Sequence, residues 1–461
     1  MTHSWITVNV RWTLALLLAT GCVASDPDTD DDTSVPAVEA ERLKLDPQSA
    51  AFANAAGMAE TVGPIDHRNA FFRSLGTNGR ACVTCHQEDQ AFSITPAGAR
   101  ARFLASNGAD PLFRLNDGAV SPNADVSNPI ARGIAYSMLL TRGLIRIGLP
   151  IPAGAEFTLD AVDDPYHFAS AAELSLFRRP LPSTNLSFLS AVMWDGREAS
   201  LASQVVDATL GHAQATSTLQ PDMDSIVSFE LGLFTAQVKD AVAGDLDKGG
   251  GQGGAKTLST TPFFIGINDP LGFNPEGTAF DPVVFRLFDG FAPPAKPKKG
   301  AADERRYAIF RGQQIFNTRP ITITGVNGLN DFLGVPAVQG TCTTCHDTPN
   351  VGNHSIKFAL DIGLTTEARR TPDMPLYTLR NLTTGAIVKT TDPGRALITG
   401  KWADINKFKG PILRALAARP PYFHNGSATT LDDVVGFYDT RFGLGLTAQD
   451  RSDLVAFLQA L

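Results

Sequence analysis

The pentapeptide Cys-x-x-Cys-His occurs twice in the chain, as Cys82-Val83-Thr84-Cys85-His86 and as Cys342-Thr343-Thr344-Cys345-His346. Two thiols at this spacing can each add across a vinyl group of one haem, and the histidine that follows turns under the iron as its proximal ligand. With five cysteines and eight histidines in 461 residues, two chance copies are expected on the order of once in a million such chains. The chain therefore reads as a carrier of two covalent c-type haems. Cys82, Cys85, Cys342 and Cys345 are the attachment points, and His86 and His346 are the iron ligands.

Four of the five cysteines are thereby used, which leaves no pair for a disulfide. The fifth, Cys22, follows Arg11, an apolar run through Leu14, Leu16, Leu17 and Leu18, and then Ala19-Thr20-Gly21. This is the pattern of a lipoprotein-type signal over residues 1–22, with Cys22 as the lipid-bearing residue. The apolar run is short for a membrane span. Export to the periplasm or outer membrane also agrees with where c-type haem is attached in bacteria. Residues 23–44, with Asp26, Asp28 and Asp30-Asp31-Asp32, are expected to form an acidic disordered tether. A net charge of -8 without a dense basic run argues against nucleic acid and leaves a small basic redox protein as a compatible partner.

Hydrophobic residues at 43% and charged residues at 19% describe a globular chain long enough for two or three domains. The expected fold class is mainly α, with two cytochrome c-like haem domains. The first spans residues 45–292 and carries a long loop-rich elaboration from Pro96 to Pro182, with one helix near Ile130 to Leu144. After Trp194-Asp195-Gly196-Arg197, the residues Leu201, Val205 and Leu210 suit one helix face. A linker is expected at 293–301, where Pro293-Pro294-Ala295-Lys296-Pro297 interrupts the pattern, and the second domain at 302–461. In that domain Ile309, Gly312 and Phe316 share a helical stripe. Thr430 with Asp433 and Thr447 with Asp450 mark two helix starts.

Together with both Cys-x-x-Cys-His motifs, the runs Trp194-Asp195-Gly196-Arg197 and Pro421-Tyr422-Phe423-His424-Asn425-Gly426 resemble those of the bacterial di-haem cytochrome c peroxidase superfamily. That superfamily also includes the di-haem enzyme that forms tryptophan tryptophylquinone and, more distantly, rubber oxygenases. The stretch between the first haem motif and Trp194 is longer than the family's. Fold analogy does not choose among these chemistries. In the peroxidases a methionine fourteen residues after the motif histidine closes the second haem, and in the quinone-forming enzyme a tyrosine does. Counted from His424, that position is Tyr438. Met374 is the rival ligand, and a core aromatic on an amphipathic helix is the plain alternative for Tyr438.

For the first haem the resemblance implies His86 as sole protein ligand, because no histidine stands near Ala101-Arg102-Phe103, where reducible peroxidases carry one. It implies Trp194 as electron relay between the haems. It places Gln214 where the family has a glutamate, and Gln204 where the quinone-forming relative has a distal glutamine. Splitting a peroxide requires a proton to move between its oxygens, so an acid-base group belongs over the open face. Gln214 cannot titrate, which makes His212 the candidate relay, or even a ligand. His67, His167 and His354 have weaker claims. Arg414 is implied beside haem propionates. A calcium site between the domains is left open, since Pro421 is retained and Arg419 replaces an expected threonine.

The expected function is an exported di-haem oxidoreductase that reduces hydrogen peroxide at the first haem. Its electrons come through the second haem from a small redox protein or from an oxidisable partner protein. The alternatives are a di-haem oxygenase or oxidase acting on an organic substrate, and a non-enzymatic electron-transfer cytochrome.

Overall fold

The C-terminal part is assembled by helices whose ends the sequence writes out. In the computed structural model, which describes residues 48–461, Thr430 Oγ1 accepts from Asp433 N at 3.1 Å and the Asp433 carboxylate accepts from Thr430 N at 2.9 Å. Thr447 and Asp450 repeat the exchange at 3.1 Å in both directions. These reciprocal caps satisfy backbone donors that a helix start leaves unpaired. They begin the helices Leu431–Phe442 and Ala448–Ala460. The latter lies along Ala301–Thr318. Gly312 is required at their crossing, because a Cβ there would stand 2.0 Å from the Asp453 carbonyl oxygen. Ile309, Phe316, Leu454, Phe457 and Leu458 fill this core with Phe285 and Phe288. Each fully buried side chain of this size contributes about 1.5–3 kcal/mol.

The first part has a similar but separate core, in which Phe71, Phe92, Val205, Ile226 and Phe229 pack together. Its helix Leu201–Gly211 is capped by a Ser200–Ser203 exchange. The helix buries Val205 and Thr209, whereas Leu210 faces solvent, so the stripe is turned from the expected one. The helix expected near Ile130 to Leu144 is two short ones, Pro129–Ala135 and Ser137–Arg142, broken at Tyr136.

The expectation of a mainly α fold is corrected: among the described residues the protein is 31% helix and 18% strand, a mixed α/β architecture with five small sheets. Three of the strands lie in the elaboration read as loops. Ile145–Leu149 pairs antiparallel with Leu174–Arg178. Phe157–Asp163 pairs with Leu376–Asn381, from Asn381 opposite Phe157 to Leu376 opposite Asp163, with one irregularity at Thr378/Leu379. Gln48–Asn54, Gly57–Gly63, Phe234–Asp240 and Gly244–Asp245 make a four-stranded sheet. These strands are short, and Leu174–Arg178 is buried at every position, which erases the alternation that would announce it.

Segments far apart in sequence are tied together. Besides the Phe157–Asp163 pairing, the buried Arg178 donates to Asp392 at 2.7 and 2.9 Å and to Asp195 at 2.5 Å. Asp46–Leu461 clusters as one compact unit. The signal at residues 1–22, Cys22 and the tether at 23–44 lie outside the described residues. Among the described residues no helix is long and apolar enough to cross a membrane.

Candidate active site

Two cavities share one wall. The first contains about 1260 Å³ of empty space, its mouth included, and is lined by Cys82, Cys85, His86, Gln204, Ala208 and His212. The second contains about 1740 Å³ and is lined by Cys342, Cys345, His346, His424 and Tyr438. Trp194 and the run Arg179-Pro180-Leu181-Pro182 line both.

Each motif histidine is aimed by a backbone carbonyl six residues on. His86 Nδ1 lies 2.9 Å from the Phe92 carbonyl oxygen, and His346 Nδ1 lies 2.7 Å from that of Gly352. A carbonyl only accepts, so Nδ1 carries the proton and Nε2 keeps its lone pair, the form that binds a metal. Burial lowers both rings to about 4, so they are neutral at pH 7.

The residues present fit a c-type haem in each cavity: two thiols and one neutral imidazole per cavity, and uncompensated positive charge near the shared wall. Among the described residues Arg179, Lys409 and Arg414 are buried and Arg419 half-buried without a carboxylate partner, and Arg414 Nη2 and Arg419 Nε have no hydrogen-bond partner. Burial, with Arg419 nearby, lowers Arg179 to about 9 and Lys409 to about 8, and burial alone lowers Arg414 to about 9. Buried cations need anions, which propionates would supply. Arg414 also donates to the carbonyls of Leu461 at 3.0 Å and Asn350 at 2.8 Å.

The two walls are built on one backbone pattern. Val192 bridges Glu198 and Tyr422 bridges Ala428. Met193 and Phe423 have φ of 67° and 65°, and Gly196 and Gly426 have 65° and 62°. A capped helix follows each. Trp194 thus corresponds to His424, and the residue fourteen positions on is Ala208 in one case and Tyr438 in the other. Tyr438 projects into the second cavity among Phe423, Phe437 and Phe442. Burial pushes its phenol well above the usual range. Met374 packs instead with Val120, Met138, Leu144 and Phe177 and lines neither cavity.

Above the first cavity, Gln204, Ala208 and His212 fall at i, i+4 and i+8 on one stripe. His212 Nδ1 lies 2.5 Å from Asp117 Oδ2, and Arg80 pairs with the other oxygen of the same carboxylate. Burial would raise Asp117, but Arg80 and His212 hold it below the usual carboxylate range. Gln214 is exposed outside this lining, its carbonyl accepting from Thr77. Asp117 escaped sequence reasoning because it lies in the elaboration, far from any motif.

Trp194 Nε1 donates to the Arg179 carbonyl at 2.7 Å, and Arg179 N donates to the His424 carbonyl at 2.6 Å. The His424 ring stacks on Phe408 at 4.1 Å and meets Trp194 edge-on at 6.1 Å, with both nitrogens unpartnered. Sequence reasoning used His424 only as the origin of a count. The Arg179 guanidinium donates to the carbonyls of Arg142, Gly143 and Arg419 at 3.3 Å and of Pro420 at 3.5 Å. His354 lines the second cavity. Burial opposes its charge, but hydrogen bonds to Asp347, at 3.0 Å, and Cys345 carry it up to about 10. His67 pairs with Glu88 at 3.0 Å on the surface, and His167 is exposed.

No family model matches the chain. It is 36% identical over 146 residues to the cytochrome-c peroxidase IdrP2 of Denitromonas iodatirespirans, covering 29% of this chain and 38% of that protein. To the cytochrome c551 peroxidase of Pseudomonas aeruginosa it is 28% identical over 135 residues, covering 29% and 32%. The chain thus spans about a third of the length of these curated relatives. Among solved structures, a MauG-like protein associated with microbial copper homeostasis aligns over 87% of this chain and 90% of its own, at 15% identity and a TM-score of 0.38. The homologues of this chain are bacterial cytochrome-c peroxidases, the superfamily that its paired haem motifs and the runs around Trp194 and His424 resemble.

Proposed function

We propose that the protein is an exported di-haem c-type oxidoreductase that reduces hydrogen peroxide in the first cavity with electrons passed from the second. The observation that carries this reading is the difference at one corresponding position, Ala208 in the first cavity and Tyr438 in the second. When bound, haem iron supplies a site for peroxide and a path for the two electrons that, with two protons, convert it to two waters. Cys82, Cys85 and His86 hold the first haem, and Cys342, Cys345, His346 and Tyr438 hold the second.

His212 takes the proton of the inner peroxide oxygen and returns it to the outer one. Asp117 fixes the imidazole so that Nε2 faces the cavity, and Gln204 offers a hydrogen bond on the same stripe. Trp194, with His424 against its edge, relays electrons across the shared wall. Arg414, with Arg179, Lys409 and Arg419, balances the propionates. Arg179 also supplies the positive charge at the Arg419 and Pro420 carbonyls, near where the resemblance leaves calcium open. The donor is a small redox protein or an oxidisable partner protein, and Cys22 carries a lipid anchor.

Electron paramagnetic resonance of the resting ferric protein tests the asymmetry: one high-spin and one low-spin haem are expected. Two low-spin signals would make it an electron-transfer cytochrome. Peroxide consumption with a reduced small cytochrome as donor tests the reaction, and oxidation of an organic substrate in place of peroxide turnover would make it an oxygenase.

A further inference from the structure

A pocket with about 580 Å³ of empty space, its mouth included, lies outside the second cavity. Asn327, Asp331, Trp402 and Asn406 line it, with the exposed Ala403 beside Trp402. The wall between pocket and cavity is one residue thick. Val326 lines the cavity where its neighbour Asn327 lines the pocket, and Asn406 lines both. Neither haem motif supplies any of these residues.

The lining specifies a ligand. Trp402 gives an aromatic wall, fixed by its ring against Phe157 at 6.5 Å and by its backbone N–H, which donates to Glu156 at 2.8 Å; Val388 and Ile405 extend the apolar surface. No lining side chain is basic, and Asp331 is already paired with Lys407 at 3.4 Å, so neither an anion nor a cation finds a free counter-charge. Asn406 is 7% exposed, and its Oδ1 has no hydrogen-bond partner. On the cavity side a haem would offer carbon edges and carboxylates, which donate nothing, so the donor this oxygen lacks has to come from the pocket. Burial would raise the Asp331 carboxyl, but the Gly328 N–H and Lys407 hold it below the usual range, so it too accepts. An uncharged flat molecule that donates hydrogen bonds from its edge meets these conditions. A sugar unit could stack and donate as well, but a place one residue from the second cavity gives a use only to a ligand that can lose an electron.

We propose that this pocket binds a small neutral phenol, which serves as reductant for the second haem. The proposal rests on the placing of a haem in the second cavity and extends the reading of the electron donor. Each phenol gives up one electron across the Asn406 wall. Its hydroxyl proton passes through Asp331 to water at the mouth, and a phenoxyl radical leaves. Hydrogen peroxide is the oxidant: two phenols and one peroxide become two phenoxyl radicals and two waters.

The test uses the holoprotein with guaiacol as the phenol. Equilibrium dialysis without peroxide reads binding, and steady-state guaiacol oxidation with peroxide reads the transfer. Wild type is expected to bind guaiacol at a single site and to oxidise it at a rate that saturates. Trp402→Leu should weaken binding about tenfold by removing the aromatic contact. Ala403→Phe, at an exposed position, fills the pocket without touching the core and should abolish binding and saturation together. No binding by wild type overturns the proposal, as do binding untouched by Ala403→Phe and tighter binding of glucose than of guaiacol. An equal loss of guaiacol and of reduced-cytochrome oxidation in Ala403→Phe overturns it too. Failure of wild-type peroxide turnover with a reduced small cytochrome would remove the proposed reaction, whereas binding is read without peroxide and decides the pocket separately.

Discussion

The wall segment that carries Trp194 and Ala208 and the one that carries His424 and Tyr438 share a bridge, a positive-φ residue, a positive-φ glycine and a capped helix. The motif histidines are likewise each aimed by a carbonyl six residues on. What differs is the side chains placed on this common frame. Around the first cavity stand a methyl group, a glutamine and a histidine on a buried aspartate. The second has a phenol ringed by phenylalanines. A common backbone thus builds both walls, and the proposed difference in function between the two cavities rests on a few side chains placed on it.

The harshest way to break the contrast is to copy the second site into the first. Ala208→Tyr should abolish peroxide turnover and replace the high-spin resonance by a low-spin one, with the second haem unchanged. The reverse approach, Tyr438→Phe, should alter the low-spin spectrum of one haem only; an unaltered spectrum would mean that the two sites do not differ in this ligand.

Removing the acid-base group leaves the iron open but slows the chemistry. His212→Asn should lower kcat by about 100-fold to 10,000-fold. Asp117→Asn should lower it by less, because the imidazole remains but is no longer fixed in its tautomer. Steady-state kinetics of both variants measure the order, and equal losses would argue against an orienting role for Asp117.

The smallest effect belongs to Glu230, a buried acid in the lining of the first cavity. Burial pushes the Glu230 carboxyl from its ordinary 4.5 up to about 8 in the folded protein. Below pH 4.5 both states are protonated and it has no effect. Between these values folding takes up a proton, so stability falls with rising pH, by on the order of a few kcal/mol, and above 8 the loss is complete. Urea unfolding across this range should show that slope in the wild type and lack it in Glu230→Gln.

Local chemistry was legible in the sequence by itself. Each Cys-x-x-Cys-His motif is complete within five residues and the threonine and aspartate of each cap sit three apart, whereas Tyr438, which lines the second cavity, was singled out by the resemblance. Tertiary structure decided what depends on the path of the chain between such stretches. It brought Asp117 to His212 and Ser183 to His86, and it joined Phe157–Asp163 to Leu376–Asn381 in a sheet that turned a mainly α expectation into a mixed fold. The reason is physical: caps and attachment motifs are satisfied within a turn or two of backbone. Strand pairing and buried polar networks are satisfied by partners tens to hundreds of residues away, and no periodicity in the sequence records those partners.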